Sequence, residues 1–357
     1  MSVEVLKITH CRNIQSAQLA LKPGLNIITG ANASGKTSLL EAFNLLGTGR
    51  SFRTSRLNHV IQSEQEALTL FAQLRTAAGI SQKLGFQYKQ GKRQLRLDRN
   101  PIHSGAELAH LLPIQLINQQ SFDLIDQGPS QRRKFLDWGV FHVEQSFYPV
   151  WQRYMRAMKQ RNAALRRSMK QIEHWELEMA SSAAQLHNYR NDYVESLQPL
   201  FTDSVSQMLG CDDITMQYRA GWEATIPLNE LLASNREKDR ELGYSRYGPQ
   251  RADLVFKRQG VAARERLSRG QQKLLVSALV LGQAQLLTMA TGRPGTILID
   301  DISAELDAGH CGKLMKVLLA TGSQLVVTAI SPEQLPDLKG EDVAMFHVEH
   351  GEVKEVV

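Results

Sequence analysis

Apolar and polar residues alternate with period two over Val3-Glu4-Val5-Leu6-Lys7-Ile8 and again over Ala17-Gln18-Leu19-Ala20-Leu21, which predicts two half-buried strands. Leu25-Asn26-Ile27-Ile28-Thr29 is an apolar run that enters a loop at Gly30, and Ser38 to Leu46 follows with helical character. Short strand-like runs come next at Ala67 to Leu74, Gln82 to Tyr88 and Gln94 to Asp98, with Gly91 and Asn100-Pro101 marking turns. They predict an antiparallel sheet, and Pro113 to Ile117 adds one more short strand.

The texture changes after Gly128-Pro129. Gln131 to Glu144 has a helical pattern. Trp151, Tyr154, Met158, Leu165, Met169 and Ile172, then Leu186, Tyr189, Tyr193, Leu197 and Leu200, recur at helical spacing and predict two long antiparallel helices with an aromatic core stripe. Asn229 to Leu242 adds a charged helical segment. Strand character returns at Ala252 to Phe256, a helix is predicted from the Leu267–Gln271 segment through Gln285, and further strands are predicted at Thr296 to Ile299, Gln324 to Thr328 and Ala344 to Val348. The expected organisation is an α/β head with mixed sheets, residues 1–128 and 246–357, interrupted by an antiparallel helical arm over 129–245.

Composition narrows the class. The chain has 357 residues, a formal net charge of +6 and a sequence pI near 9.2, which suits a polyanion such as DNA as a partner. Cys11, Cys211 and Cys311 stand far apart, with no zinc spacing and no disulfide framework, as in a reducing compartment. The first ten residues lack the apolar core of a signal peptide, and no apolar run approaches the ~20 residues of a membrane span. A soluble, cytoplasmic protein is expected.

Two places carry phosphate chemistry. Gly30-Ala31-Asn32-Ala33-Ser34-Gly35-Lys36-Thr37 fits the P-loop pattern, between the strand and the helix that such a loop needs. Its backbone N–H groups and the following helix dipole suit phosphate, with Ser38 in the first helical turn. Lys36 is placed to reach the β- and γ-phosphates of ATP, and Thr37 to ligate Mg²⁺. The apolar strand Thr296 to Ile299 delivers Asp300 and Asp301 at its end, where open α/β sheets bind ligands. Asp300 is the second candidate for Mg²⁺, and Asp301 the candidate to orient or deprotonate water.

Leu267-Ser268-Arg269-Gly270-Gln271 looks like the signature of ABC-type ATPases, with Ser268, Arg269, Gly270 and Gln271 opening a helix about thirty residues before the acidic strand end. Ser303-Ala304-Glu305-Leu306-Asp307 resembles the D-loop, with Asp307 its last residue, and Arg12-Asn13 resembles the start of SMC-like ATPases, although Cys11 stands where those often have Phe. Gly128-Pro129 through Arg132-Arg133-Lys134-Phe135-Leu136-Asp137 and Gly248-Pro249-Gln250-Arg251-Ala252-Asp253 are similar to segments of the RecF family of bacterial recombination proteins. With the short insertion, the resemblance runs over essentially the full chain.

That resemblance implies an ABC-type head that forms a head-to-tail homodimer around ATP, the signature of one subunit completing the site of the other. It further implies action at single-strand gaps and duplex junctions, work with RecR, RecO and RecA, and support of RecA loading and SOS induction. By this resemblance Arg12 and Asn13 join the nucleotide-binding set. Gln120 becomes the candidate Q-loop contact to Mg²⁺ or water, with Gln119 second, where relatives often show Pro-Glu. Asp301 stands where ABC-type ATPases usually have Glu; being one methylene shorter, it predicts slow hydrolysis, a weak DNA-stimulated ATPase used as a switch. Gln250 stands where relatives often have His, and no histidine fills the switch position after Thr328.

Three basic clusters are candidate DNA contacts: Arg50, Arg53 and Arg56; Lys89, Lys92, Arg93, Arg96 and Arg99; and Arg153, Arg156, Lys159, Arg161, Arg166, Arg167 and Lys170. No base-reading motif is present, so contact with the DNA backbone is expected. An SMC-like structural clamp, a transporter ATPase subunit and a nuclease are the competing classes. The first is opposed by the short insertion, the second by the long stretch between Lys36 and Ser268, and the third by the lack of a further carboxylate cluster.

Overall fold

The computed structural model describes all residues except 77, 168, 170, 303–307, 336–341 and 357. In chain order its strands and helices begin with β1 (Ser2–Cys11), β2 (Ile14–Ala20), β3 (Leu25–Thr29), α1 (Lys36–Thr48), β4 (Ala67–Arg75), β5 (Ser81–Lys89), β6 (Lys92–Leu97) and β7 (Asn100–Pro101). They continue with α2 (Gly105–Leu111), β8 (Ile114–Ile117), α3 (Asp123–Asp126), α4 (Pro129–Val143), α5 (Phe147–Arg166), α6 (Glu173–Leu209) and β9 (Ile214–Arg219). Then come α7 (Leu228–Ser234), α8 (Arg236–Leu242), β10 (Asp253–Arg258), β11 (Val261–Ala262), α9 (Ala263–Arg266) and α10 (Arg269–Thr291). The last are β12 (Thr296–Ile299), α11 (Ala308–Ala320), β13 (Gln324–Ala329), β14 (Val343–Glu349) and β15 (Glu352–Val356).

The chain forms two compact units. The first comprises Met1–Phe122, Gln207–Leu209 and Arg269–Val357; the second comprises Asp123–Ser206 and Gly210–Ser268. The first holds an antiparallel sheet in the order β2-β1-β4-β5-β6-β7 and a mixed sheet in the order β15-β14-β3-β13-β12-β8. In the mixed sheet the β14, β3, β13, β12 and β8 ladders are parallel, and only β15 is antiparallel. Such a sheet is covered on its faces, which explains why β3, β12 and β13 are buried at every position. Helix α1 is buried almost all round and packs its Leu39, Leu40, Phe43 and Leu46 into a core shared with Leu6, Ile8, Leu70, Phe86, Leu298 and Phe346.

Helix α10 corrects the expectation about membrane-length segments. Its 23 residues reach a mean hydropathy of 1.6 over the best window, and 72% of that window is buried in the protein. Ala278 to Gln283 face the core without a break, as in the central helix of a folded head. The helix also runs past the predicted end at Gln285, to Thr291.

In the second unit β11-β10-β9 form a small sheet beside the helices. Three expectations change here. Helix α5 stops at Arg166, so Met169 falls beyond it and is exposed. The charged segment after Asn229 is two helices, broken at Asn235, whose side-chain amide caps the carbonyl of Leu231 while its oxygen accepts from Arg246. Arg161, one of the predicted DNA-facing bases, is fully buried. It bonds to Glu176 (3.1 Å), Asp239 (2.8 Å), Ser245 (2.8 Å) and the carbonyl of Leu232 (3.2 Å), tying α5 to α6, α7 and α8. Arg236 and Arg246 complete the network at Glu176 and Asp239. A buried guanidinium needs such an acceptor set, because desolvating an unpaired charge costs far more than any packing gain.

Candidate functional site

Parallel pairing brings the phosphate loop and the acidic strand end together. β13 lies between β3 and β12, so Thr29, Thr328 and Asp300 emerge along one carboxyl edge of the sheet. Gly30, Ala33 and Gly35 take positive φ, at 152°, 64° and 127°, and Gly35 leads directly into α1. A Cβ on Gly30 would sit 2.3 Å from the carbonyl oxygen of Val348, so β14 packs against the loop too closely for any side chain.

A cavity of about 690 Å³ opens at this edge, lined by Arg12, Asn13, Asn32, Ala33, Gly35, Lys36, Thr37, Ser38, Arg53, Asp300 and Asp301. Its volume is that of a small-molecule site. Lys36 Nζ donates to the carbonyls of Gly30 (2.7 Å) and Ala31 (2.9 Å), and burial lowers its pKa against the opposing pull of Asp301 and Asp300. The Thr37 hydroxyl donates to the Asp300 carboxylate at 3.1 Å. Burial raises the Asp300 pKa above the usual carboxylate range, while its bonds from Thr328 and Thr37 oppose that rise.

Asn13 is a brace for the loop: its amide donates to the carbonyl of Ser34 (2.9 Å) and its oxygen accepts from Ser38 (3.0 Å). Arg12 lines the cavity while gripping buried Glu41 in a fork at 2.9 and 2.8 Å, and that bond raises its pKa. Glu41 also accepts from Ser51 and stands 3.7 Å from Arg53. Arg53, grouped by sequence with Arg50 and Arg56, is therefore part of the nucleotide-sized cavity.

Two residues of this edge escaped sequence reading. Thr328 donates to Asp300 (2.9 Å) and accepts from the backbone N–H of Asp301 (2.7 Å), which holds Asp301 at a φ of 51°. Glu41 organises Arg12, Ser51 and Arg53 from a fully buried position. A Thr inside an apolar strand and a Glu inside an apolar helix look like incidental polar residues; their buried side of the element was the only available signal.

Gln119 and Gln120 are exposed in the turn after β8 and do not line the cavity. The turn itself is fixed by Asn118 and Ser121, which exchange bonds at 3.0 Å. Ser268, Arg269 and Gly270 are exposed where α10 begins, and Gln271 is half-buried. Asp307 and the rest of the Ser303–Asp307 segment lie outside the described residues. Of the basic candidates, Arg50, Arg53, Arg56, Lys92, Arg93, Arg153, Arg156, Lys159, Arg166 and Arg167 are exposed. Exposed Arg93 lies on the same face of β6 as Leu95 and donates to the carbonyl of Gly49 at 3.0 Å. Among the described residues no cluster of three or more His, Cys, Asp or Glu could hold a metal alone.

The model of the RecF/RecN/SMC N-terminal domain matches residues 2–354. DNA replication and repair protein RecF of Pseudomonas paraeruginosa (strain DSM 24068 / PA7) is 42% identical over 99% of this chain and 98% of its own length. The protein of the same name from Stutzerimonas stutzeri (strain A1501) is 42% identical over 100% of this chain and 98% of its own. Among solved structures, the recombination mediator protein RecF-ATPrS in the RecFOR pathway aligns with a TM-score of 0.88 at 24% identity, covering 100% of this chain and 98% of that one. An Smc head bound to the C-terminal winged-helix domain of ScpA aligns at 0.61 with 14% identity, covering 100% and 98%, a likeness of fold.

Proposed function

Because this chain belongs to the RecF family, within the RecF/RecN/SMC class of ATPase heads, we propose that it is an ATP-gated DNA-binding protein of recombinational repair. The observation that carries this reading is the meeting of Lys36, Thr37 and Asp300 around one cavity at the carboxyl edge of the parallel sheet. ATP is the ligand that the loop chemistry suits, and relatives of this fold have been solved as RecF-ATP and RecF-ATPrS.

The residues also suit Mg²⁺. That ion takes one or two carboxylates and completes its shell with water and substrate phosphates, and Thr37 and Asp300 offer that set. When bound, Mg²⁺ would neutralise phosphate charge. Lys36 would turn from the Gly30 and Ala31 carbonyls to the phosphates, and Asp301, held by Thr328, would orient water. Arg12 and Arg53 would add positive charge at the mouth of the cavity.

The site of one subunit would be closed by Ser268 and Gly270 of a second copy, making ATP a bridge whose hydrolysis opens the dimer. DNA would be held through its phosphates by the exposed bases Arg153, Arg156, Lys159, Arg166 and Arg167 or by Arg50, Arg56 and Lys92. Gapped or junction DNA and the RecR, RecO and RecA partners belong to this reading by family. Sedimentation with Mg-ATP and gapped DNA tests it. Lys36→Met and Ser268→Arg are expected to lose ATP-dependent dimers, while Asp301→Asn keeps them and hydrolyses little. A wild-type protein that stays monomeric with saturating Mg-ATP contradicts the dimer.

A further inference from the structure

The two RecF-like segments, Gly128–Asp137 and Gly248–Asp253, take no part in the cavity, yet the second unit makes them partners of each other. Arg132, in the first turn of α4, clamps Asp253 with Nε at 2.7 Å and Nη2 at 3.1 Å. Its Nη1 donates to the carbonyls of Leu124 (3.1 Å) and Gln127 (2.8 Å), which close the end of α3. Arg133 donates to the carbonyl of Ala252 at 2.8 Å. Buried Arg190 forks onto Asp137 at 2.8 and 3.0 Å and donates to the carbonyl of Pro249 at 2.9 Å. Forked arginine–carboxylate pairs fix both distance and orientation.

What lies downstream of each partner gives the clamp a use. Asp253 opens β10, whose hairpin with β11 feeds α9, and α9 passes directly into Leu267-Ser268. α3 packs on α9 as well as on α4. A cavity of about 110 Å³, lined by Ile125, Arg132, Asp253, Leu254, Ala263 and Arg264, separates the packed surfaces here, so the fork supplies a polar tie where close packing is interrupted. Upstream, α3 continues without a loop from the Gln119–Phe122 turn. In the first unit that same turn reaches the other side of the signature: Lys273, one turn into α10, lies over the Phe122 ring at 5.4 Å. Within the first unit Phe122 thus meets the chain just after the signature, and within the second unit α3 meets the chain just before it.

We propose that Arg132 is a positioning residue that couples the turn after β8 to the Leu267–Gln271 segment, so that a change at that turn alters how Ser268 is presented to a second copy. This rests on the dimer reading above. Nucleotide affinity, ATP-dependent dimerisation and turnover are measured in wild type, Arg132→Ala, Arg132→Lys and Asp253→Asn. Nucleotide affinity should stay unchanged. Dimer affinity and turnover should each fall roughly tenfold in Arg132→Ala and Asp253→Asn. Arg132→Lys should recover only part, since one ammonium cannot serve a carboxylate and two carbonyls in a fixed fork. Should Arg132→Ala fail to fold, the nearly isosteric Asp253→Asn carries the test. Wild-type protein that fails to dimerise with ATP removes the dimer reading itself. Dimerising wild type alongside variants that dimerise equally well overturns the role of Arg132 alone. Joint loss of nucleotide binding and dimers assigns Arg132 to general folding and overturns it too.

Discussion

Arg161 and its neighbours on α5 separate a structural charge from a binding one, and the separation can be measured. Arg161→Met removes a fully buried guanidinium and leaves Glu176, 3% exposed, and Asp239, 0% exposed, each with one arginine instead of two. Breaking a buried ion pair by removing one partner costs about 3–5 kcal/mol. Arg236 and Arg246 remain as partial compensation, which places the loss near the low end, about 3 kcal/mol. With a urea slope of about 2 kcal/mol/M, the unfolding midpoint falls by roughly 1.5 M. The four tryptophans of the chain, Trp138, Trp151, Trp175 and Trp222, all lie in the second unit, so their fluorescence follows that unit alone. DNA affinity at temperatures where the unit stays folded should be unchanged. Arg156→Ala with Lys159→Ala should do the reverse: little change in midpoint, and a salt dependence of DNA binding shallower by up to about two units in log K against log salt. An unmoved tryptophan transition in Arg161→Met, or a lost salt slope with normal stability, would refute this assignment.

Further outcomes follow from other parts of the head. Thr328→Ala removes the hydroxyl between the Asp301 N–H and the Asp300 carboxylate, and should lower ATP turnover by roughly tenfold with little change in nucleotide affinity, while Thr328→Ser restores it; equal kcat in all three would count against the bridge. Gly47→Ala would put a Cβ 2.4 Å from Ile114 Cδ1 and 2.7 Å from the Leu112 carbonyl, so a loss of about 1–3 kcal/mol is expected in thermal melts followed by circular dichroism. Burial, with Glu41 nearby, pushes the Cys11 thiol up to about 12. Native Cys11 should therefore resist alkylation well past pH 9, while half-exposed Cys211 labels first and all three cysteines label after unfolding, as mass spectrometry would record.

The elements that carry the phosphate chemistry were legible because short-range rules govern them. An apolar run entering Gly30 and leaving through Lys36-Thr37 allows few local structures, and strands at Thr296–Ile299 and Leu25–Thr29 keep their predicted limits. The break at Asn235 and the end of α5 at Arg166 were hidden, because side-chain bonds override the local period there: Asn235 bonds to Leu231 and Arg246, and Arg166 donates to the carbonyl of Gly243. Periodicity also could not tell Arg161 from Arg156, since both stand in one basic, acid-free stretch. Burial beside Glu176 and Asp239 separates them, and those acids arrive from α6 and α8.

Residue type and order alone point to the kind of chemistry: a glycine-rich loop for phosphate, an acidic strand end for a cation, and a signature segment at a helix start. Those depend on backbone conformation and residue type within a few positions. Which residues share a site is set by contacts between distant parts of the chain. The strand order β3-β13-β12 sets Thr37 against Asp300 and brings Thr328 onto the same carboxylate, while Arg53 lines the cavity and stands near buried Glu41. In the second unit, folding joins Arg132 to Asp253 across 121 residues of chain. Strand order and long-range ion pairs come from burying a whole sheet and its charges at once, so no local window of residues records them.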